Sequence, residues 1–109
     1  MSQHALPRLK RKPSEYIRGP QYFQSIQLHE GELSLRQAIE ALGEDTLMFA
    51  TDYPHSESWF PKSVEAVLAW TSIGERARRK LLWENAARCY RRLASRQAQR
   101  SGLPAAGRA

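Results

Sequence analysis

The stretch "TLMFATDYPH", Thr46 to His55, decides how this chain is read. Together with Asp45 its first half gives "DTLMFA", too short and too continuously apolar for an amphipathic helix, and matching a strand of a parallel sheet covered on both faces. Its second half sets an acid, an aromatic, a proline and a histidine directly behind that strand, where loops carry binding and catalytic groups. On residue type alone Asp52 has two readings. It is an Asx-type acid shaping the turn before Pro54, or a carboxylate placed for chemistry.

Working outward, "QYFQSIQL" (Gln21 to Leu28) alternates with Tyr22, Ile26 and Leu28 in phase and Phe23 out of it, which predicts a strand. His29 to Leu33 form a loop containing Gly31. Ser34 then caps a helix in which Leu35, Ala38, Ile39 and Leu42 fall at helical spacing and Gly43 closes the last turn. Downstream, Pro61 and Ser63 open a helix through Thr71, with Val64, Val67 and Leu68 on one stripe. After Gly74 a further helix runs from Glu75 to Leu82, and a shorter one from Asn85 to Leu93. Asn85 stands at the start of the latter, where its side chain is expected to accept a backbone N–H as a structural cap worth ~1 kcal/mol. Residues 1–20 read as a turn-rich connector, residues 21–93 as the folded part, and residues 94–109 as a basic disordered tail.

The order strand, helix, strand, helices implies an α/β fold with parallel strands. Two parallel strands do not make a stable sheet: both faces need cover, and both edges would present unpaired backbone groups. The expected context is a larger α/β structure, in which ligands sit beyond the carboxyl ends of the strands. Asp52 lies at that end.

A length of 109 residues limits the chain to one small domain. The single cysteine, Cys89, excludes an internal disulfide and a multi-thiolate metal site. No apolar run approaches the ~20 residues that span a bilayer, and the basic N-terminal segment lacks an apolar signal core, so the expected compartment is the cytoplasm, with no membrane partner. The net charge is +6, and from residue 75 onward ten Lys and Arg face two Glu. Such a stretch is a solvated helix face, or alternatively a basic helical module that contacts nucleic acid or an acidic partner through charge. With no aromatic residue after Tyr90, nucleic acid is the less favoured partner.

"PSEYIR" (Pro13 to Arg18), "QYFQSIQLHE", "LMFATDYPHSES" followed by "FPKSVEAV", and "RRKLLWENAARCYRRL" resemble, in order, the landmarks of the amidohydrolase-related family over most of residues 13–93. The pair "TDYPH" and "ENAARCY" carries most of that likeness. The family more often has serine where Thr51 stands and glycine where Glu84 stands. The resemblance implies a metal-dependent hydrolase or decarboxylase on a (β/α)8 TIM barrel. This chain would be its C-terminal part, with Tyr22–Leu28 as strand seven and Thr46–Thr51 as strand eight. It makes Asp52 a metal ligand and the base that takes a proton from metal-bound water, or manages a proton at the substrate in decarboxylating members. His55, His29 and Trp59 then lie around the pocket mouth, facing a small-molecule substrate or backing the ligands.

The same resemblance implies a divalent ion, zinc or manganese, in the complete enzyme. The family's paired strand-one ligands, "HxH" or "ExH", follow no apolar strand here, and catalytic zinc needs about three protein ligands. The chain alone is therefore expected to bind metal weakly or not at all and to be inactive. The missing N-terminal barrel portion, or a second chain, would complete it.

Overall fold

The computed structural model describes residues 8–102. A first helical turn, α1 (Pro13–Ile17), opens with proline at its first position, where the absent N–H costs nothing. Strand β1 (Gln24–Ser25) pairs in parallel with β2 (Leu47–Met48), Gln24 opposite Leu47 and Ser25 opposite Met48. Both strands are shorter than the sequence patterns that predict them. Between the strands runs α2 (Gly31–Leu42), so the expected strand–helix–strand unit is present.

Helix α2 starts at Gly31, three residues before the expected cap at Ser34. A single 3₁₀ turn, Leu28–Glu30, leads into it, and Gly31 adopts φ 86°, a conformation that favours glycine. Its apolar stripe then behaves as its spacing requires. Leu35 is buried, and Ala38, Ile39 and Leu42 pack against the core that Leu35 shares with Leu28, Leu47, Val67, Ile73, Ala77 and Leu81.

Helix α3 (Ser63–Leu68) contributes Val67, which has no exposed surface, and ends earlier than the expected Thr71. The turn after it is tied by Arg78, whose Nη2 donates to the carbonyls of Trp70 (2.9 Å) and Ile73 (3.3 Å). The two C-terminal helices expected from the sequence are one continuous rod at first: α4 (Glu75–Arg79), a π-helical turn (Lys80–Glu84) and α5 (Asn85–Cys89).

This continuity corrects the expected role of Asn85. It sits inside a helix, fully buried, and caps nothing. Its Nδ2 donates to the carbonyls of Glu44 (2.7 Å) and Leu47 (2.8 Å), tying the rod to the entrance of β2.

The same rod covers part of the outer edge of β2. The amides of Gln24 and Ile26 donate to Thr46 O and Met48 O, both at 3.0 Å, so Thr46 and Met48 turn their backbone groups toward β1 and their neighbours turn theirs away. Three of those outward groups are taken up by the rod. Asn85 reaches Leu47 O, Arg88 Nη2 reaches Asp45 O, and the Phe49 N–H donates to Leu81 O at 2.9 Å. A helix covering a strand edge is one of the standard protections against unwanted pairing.

Residues 94–101, expected to belong to a disordered tail, are helical as part of α6 (Arg91–Ser101). "RRLASRQAQRS" is rich in Ala, Arg and Gln, which are strong helix formers, and Gly102 ends it at φ 65°. Residues 1–7 of the connector and 103–109 of the tail lie outside the described residues. No helix among the described residues is long and apolar enough to cross a membrane.

Candidate metal and catalytic site

Beyond Met48 the chain leaves the sheet and enters a tight loop through Trp59 built almost wholly from its own short-range bonds. Ser58 Oγ donates to Thr51 O at 2.7 Å, and the Tyr53 N–H reaches Thr51 Oγ1 at 3.3 Å. The His55 N–H donates to Asp52 O and the Ser58 N–H to His55 O, at 2.9 and 3.0 Å. Tyr53 and Phe60 stack at 4.6 Å between ring centroids, tilted by 52°. Asp52 lies at φ 56°, the left-handed region, where aspartate is among the few tolerated side chains.

That fold of the loop brings together Asp52, His55 and Glu57, one potential donor atom from each, all within 4.8 Å of one another and all exposed. Two of the three were singled out from the sequence. Glu57 was not: it lies outside any periodic pattern, and only the spacing Asp-x-x-His-x-Glu across a proline turn would have signalled it. Trp59 follows on the same loop and keeps 39% of its surface exposed. His29 is exposed in the turn after β1 and is not part of the cluster. Because the two strands are parallel, His29 and Asp52 nevertheless leave the sheet at the same end. Asn85 belongs to the other end, beneath the start of β2.

The charged groups nearest the start of β2 are engaged differently. Glu44 is held by Arg76 (2.8 Å) and Asp45 by Lys80 (2.7 Å), with Arg88 3.5 Å from Asp45. The hydrogen bond from Arg76, above all, holds the Glu44 carboxyl below its ordinary range, and that from Lys80 does the same for Asp45. Lys80 is raised in turn, first by its hydrogen bond to Asp45. Among the described residues neither Asp52 nor Glu57 has a cationic side chain within salt-bridge distance.

Two carboxylates and an imidazole are the donor types that zinc and manganese accept. No curated protein and no solved structure matches the chain. A family model described as Amidohydrolase does match, over residues 2–92, a span that includes both strands, the Asp52 loop and the rod that carries Asn85. The chain thus belongs to the amidohydrolase family of metal-dependent, hydrolase-type enzymes.

Proposed function

We propose that this chain carries the strand-end acid of a metal-dependent hydrolase or decarboxylase, and that Asp52 is that acid. The observation that carries the reading is the gathering of Asp52, His55 and Glu57 within 4.8 Å at the downstream end of β2, in a chain of this family. Asp52, with His55 and Glu57 beside it, would hold zinc or manganese. When bound, such an ion supplies a Lewis acid and brings the pKa of a water from 15.7 to about 7.

The chain's own residues supply the rest. The Asp52 carboxylate takes the proton of the attacking water in hydrolysis, or holds a proton at the substrate where carbon dioxide is lost. His55, tied through its N–H to the Asp52 carbonyl, fixes the turn that presents the acid. Trp59 and the Tyr53–Phe60 pair form an apolar rim for a small-molecule substrate, and His29 approaches from the end of β1.

In this proposal β1 and β2 are strands seven and eight of a (β/α)8 barrel in the cytoplasm, completed by an N-terminal portion or a second chain. Support comes from the parallel pair and from the exposed apolar residues Val64, Leu68 and Trp83 on the helices. Alone, the chain is catalytically silent. Nothing favours the nucleic-acid alternative: Arg76, Lys80 and Arg88 of the basic stretch are turned onto Glu44 and Asp45.

The test is to supply the missing strands and compare Asp52→Asn with its parent. Loss of a general base costs roughly 10²–10⁴-fold in rate, and a lost ligand adds to it. His55→Asn is expected to cost only ~10–100-fold, as for residues that support a ligand. Near-parental turnover in Asp52→Asn with normal metal content would return Asp52 to the role of a turn acid.

A further inference from the structure

The arginines of the rod and those of α6 are engaged differently. On the rod Arg76, Arg78, Arg79, Lys80 and Arg88 each meet a carboxylate of Glu44, Asp45, Glu75 or Glu84. On α6, Arg91, Arg92, Arg96 and Arg100 meet none among the described residues, and the sequence holds no acid after Glu84. Arg92, Arg96 and Arg100 recur every four residues, so they share one side of the helix at steps of about 6 Å along its axis.

Helix α6 is also uncovered. Residues 91–93, 95–97 and 99–101 are exposed, and Ala98 is half-buried. Isolated helices shorter than ~12–15 residues are marginal in water, and helices in proteins are held mainly by packing one face. With 11 residues α6 falls below that length. Its charges also oppose it. Arg92–Arg96 and Arg96–Arg100 are like-charge pairs at four-residue spacing, and Arg91 and Arg92 stand in a first turn without an acid, where the helix dipole disfavours cations. A ligand that brings negative charge to the stripe relieves these repulsions and covers the face at once. The family match ends at residue 92, so from Leu93 onward α6 lies outside the shared architecture, and completing a barrel does not by itself supply its cover.

We propose that α6 is the docking face for an acidic helical segment of another protein, one that sets Glu or Asp at positions i, i+4 and i+8 against Arg92, Arg96 and Arg100. Two α-helices step by the same distance every four residues, so three pairs form in register. Every cation of α6 is arginine, whose planar fork takes a carboxylate through two hydrogen bonds. Leu93, 41% exposed and three residues before Arg96, borders the stripe and offers the segment an apolar contact. Nucleic acid fits less well: its binding is commonly built from roughly 6–10 phosphate contacts, more cations than the stripe holds, and α6 has no aromatic side chain for stacking. A membrane surface calls for a broad apolar face, and Leu93 is the one large apolar residue of α6. The proposal does not rest on the role assigned to Asp52.

The test is fluorescence anisotropy of a labelled helical peptide with Glu at i, i+4 and i+8, titrated with the purified full chain. A peptide with Lys at those positions, single-stranded and duplex DNA, and phosphatidylserine vesicles are run alongside. The acidic peptide is expected to bind most tightly of the four, with a Kd that rises with salt. Arg92→Gln, Arg96→Gln and Arg100→Gln combined should weaken it at least tenfold; glutamine keeps the helix propensity, so circular dichroism should be unchanged. Lys10→Gln, Arg11→Gln and Lys12→Gln combined removes the same charge elsewhere and should leave the Kd within twofold. Should the triple α6 variant lose helix, Arg96→Glu decides: it is expected to prefer a peptide whose central Glu is replaced by Lys. An acidic peptide that does not bind, DNA or vesicles that bind more tightly, equal losses in the two triple variants, or an Arg96→Glu chain without that changed preference would overturn the proposal.

Discussion

The two ends of β2 are built on opposite plans. At its start, Thr46 and Leu47 are buried, Asn85 cross-links two carbonyls from a helix 38 and 41 residues away in sequence, and Glu44 and Asp45 each have a cation. At its end, Asp52, His55 and Glu57 are exposed and shaped by bonds reaching only a few residues along the chain, and the two acids have no cationic partner among the described residues. The contrast separates two tasks. Long-range bonds fix the strand where nothing reacts, and the ionisable groups left unengaged lie where a ligand can reach them. In strand–helix architectures conservation of chemistry to the carboxyl end and of stability to the other is the general division.

Substitutions at the two ends should therefore differ in kind. The largest loss of stability is expected at Leu81, 2% exposed and in the centre of the core: Leu81→Ala should cost about 2–5 kcal/mol in a urea titration. Asn85→Ala comes next, at about 1–3 kcal/mol, because it leaves buried carbonyls without a donor. His55→Ala and Glu57→Ala, at the other end, should fall within about 0.5 kcal/mol of the parent. A large loss at His55 or Glu57 would erase the distinction between the two ends.

The smallest effect is on pH and salt. Glu44 and Asp45 have folded pKa values below their unfolded ones, so their contribution is complete above roughly pH 4 and is lost as the pH falls through the folded values. Lys80 is raised, so its contribution is present below roughly pH 10.4 and is lost as the pH climbs through its folded value. All three groups are solvent-accessible, so salt should weaken both trends together. Acid unfolding that is unchanged in Arg76→Ala and Lys80→Ala would show that these pairs contribute nothing.

The sequence made the element order legible because that order rests on local signals: the alternation around Ile26, the helical spacing of Leu35 to Leu42, the glycines at 31, 43 and 74. Asp52 was legible for the same reason, standing directly behind an apolar run. What stayed hidden depends on non-local geometry. Asn85 looks like a helix start because Trp83 and Glu84 interrupt the apolar stripe, and only the π turn that carries the helix through them buries its side chain against β2. The partial cover of the β2 edge by Leu81, Asn85 and Arg88 joins residues more than 30 positions apart and has no local signature. Glu57 joins Asp52 only through the loop's three-dimensional turn. The charge of residues 94–101 points to a disordered tail, whereas their helix-forming composition favours α6.

The central claim is that the acids at the end of β2, not those at its start, are available to a divalent ion. The most direct measurement is manganese-induced line broadening in the amide NMR spectrum of the isolated chain. Broadening is expected first at residues 52–57, with Glu44 and Asp45 spared because Arg76 and Lys80 already neutralise them. Binding should be too weak to survive dialysis, since no buried partner orients the exposed donors. Broadening that begins at Glu44 and Asp45, or spreads evenly over all the acidic residues, would contradict the claim.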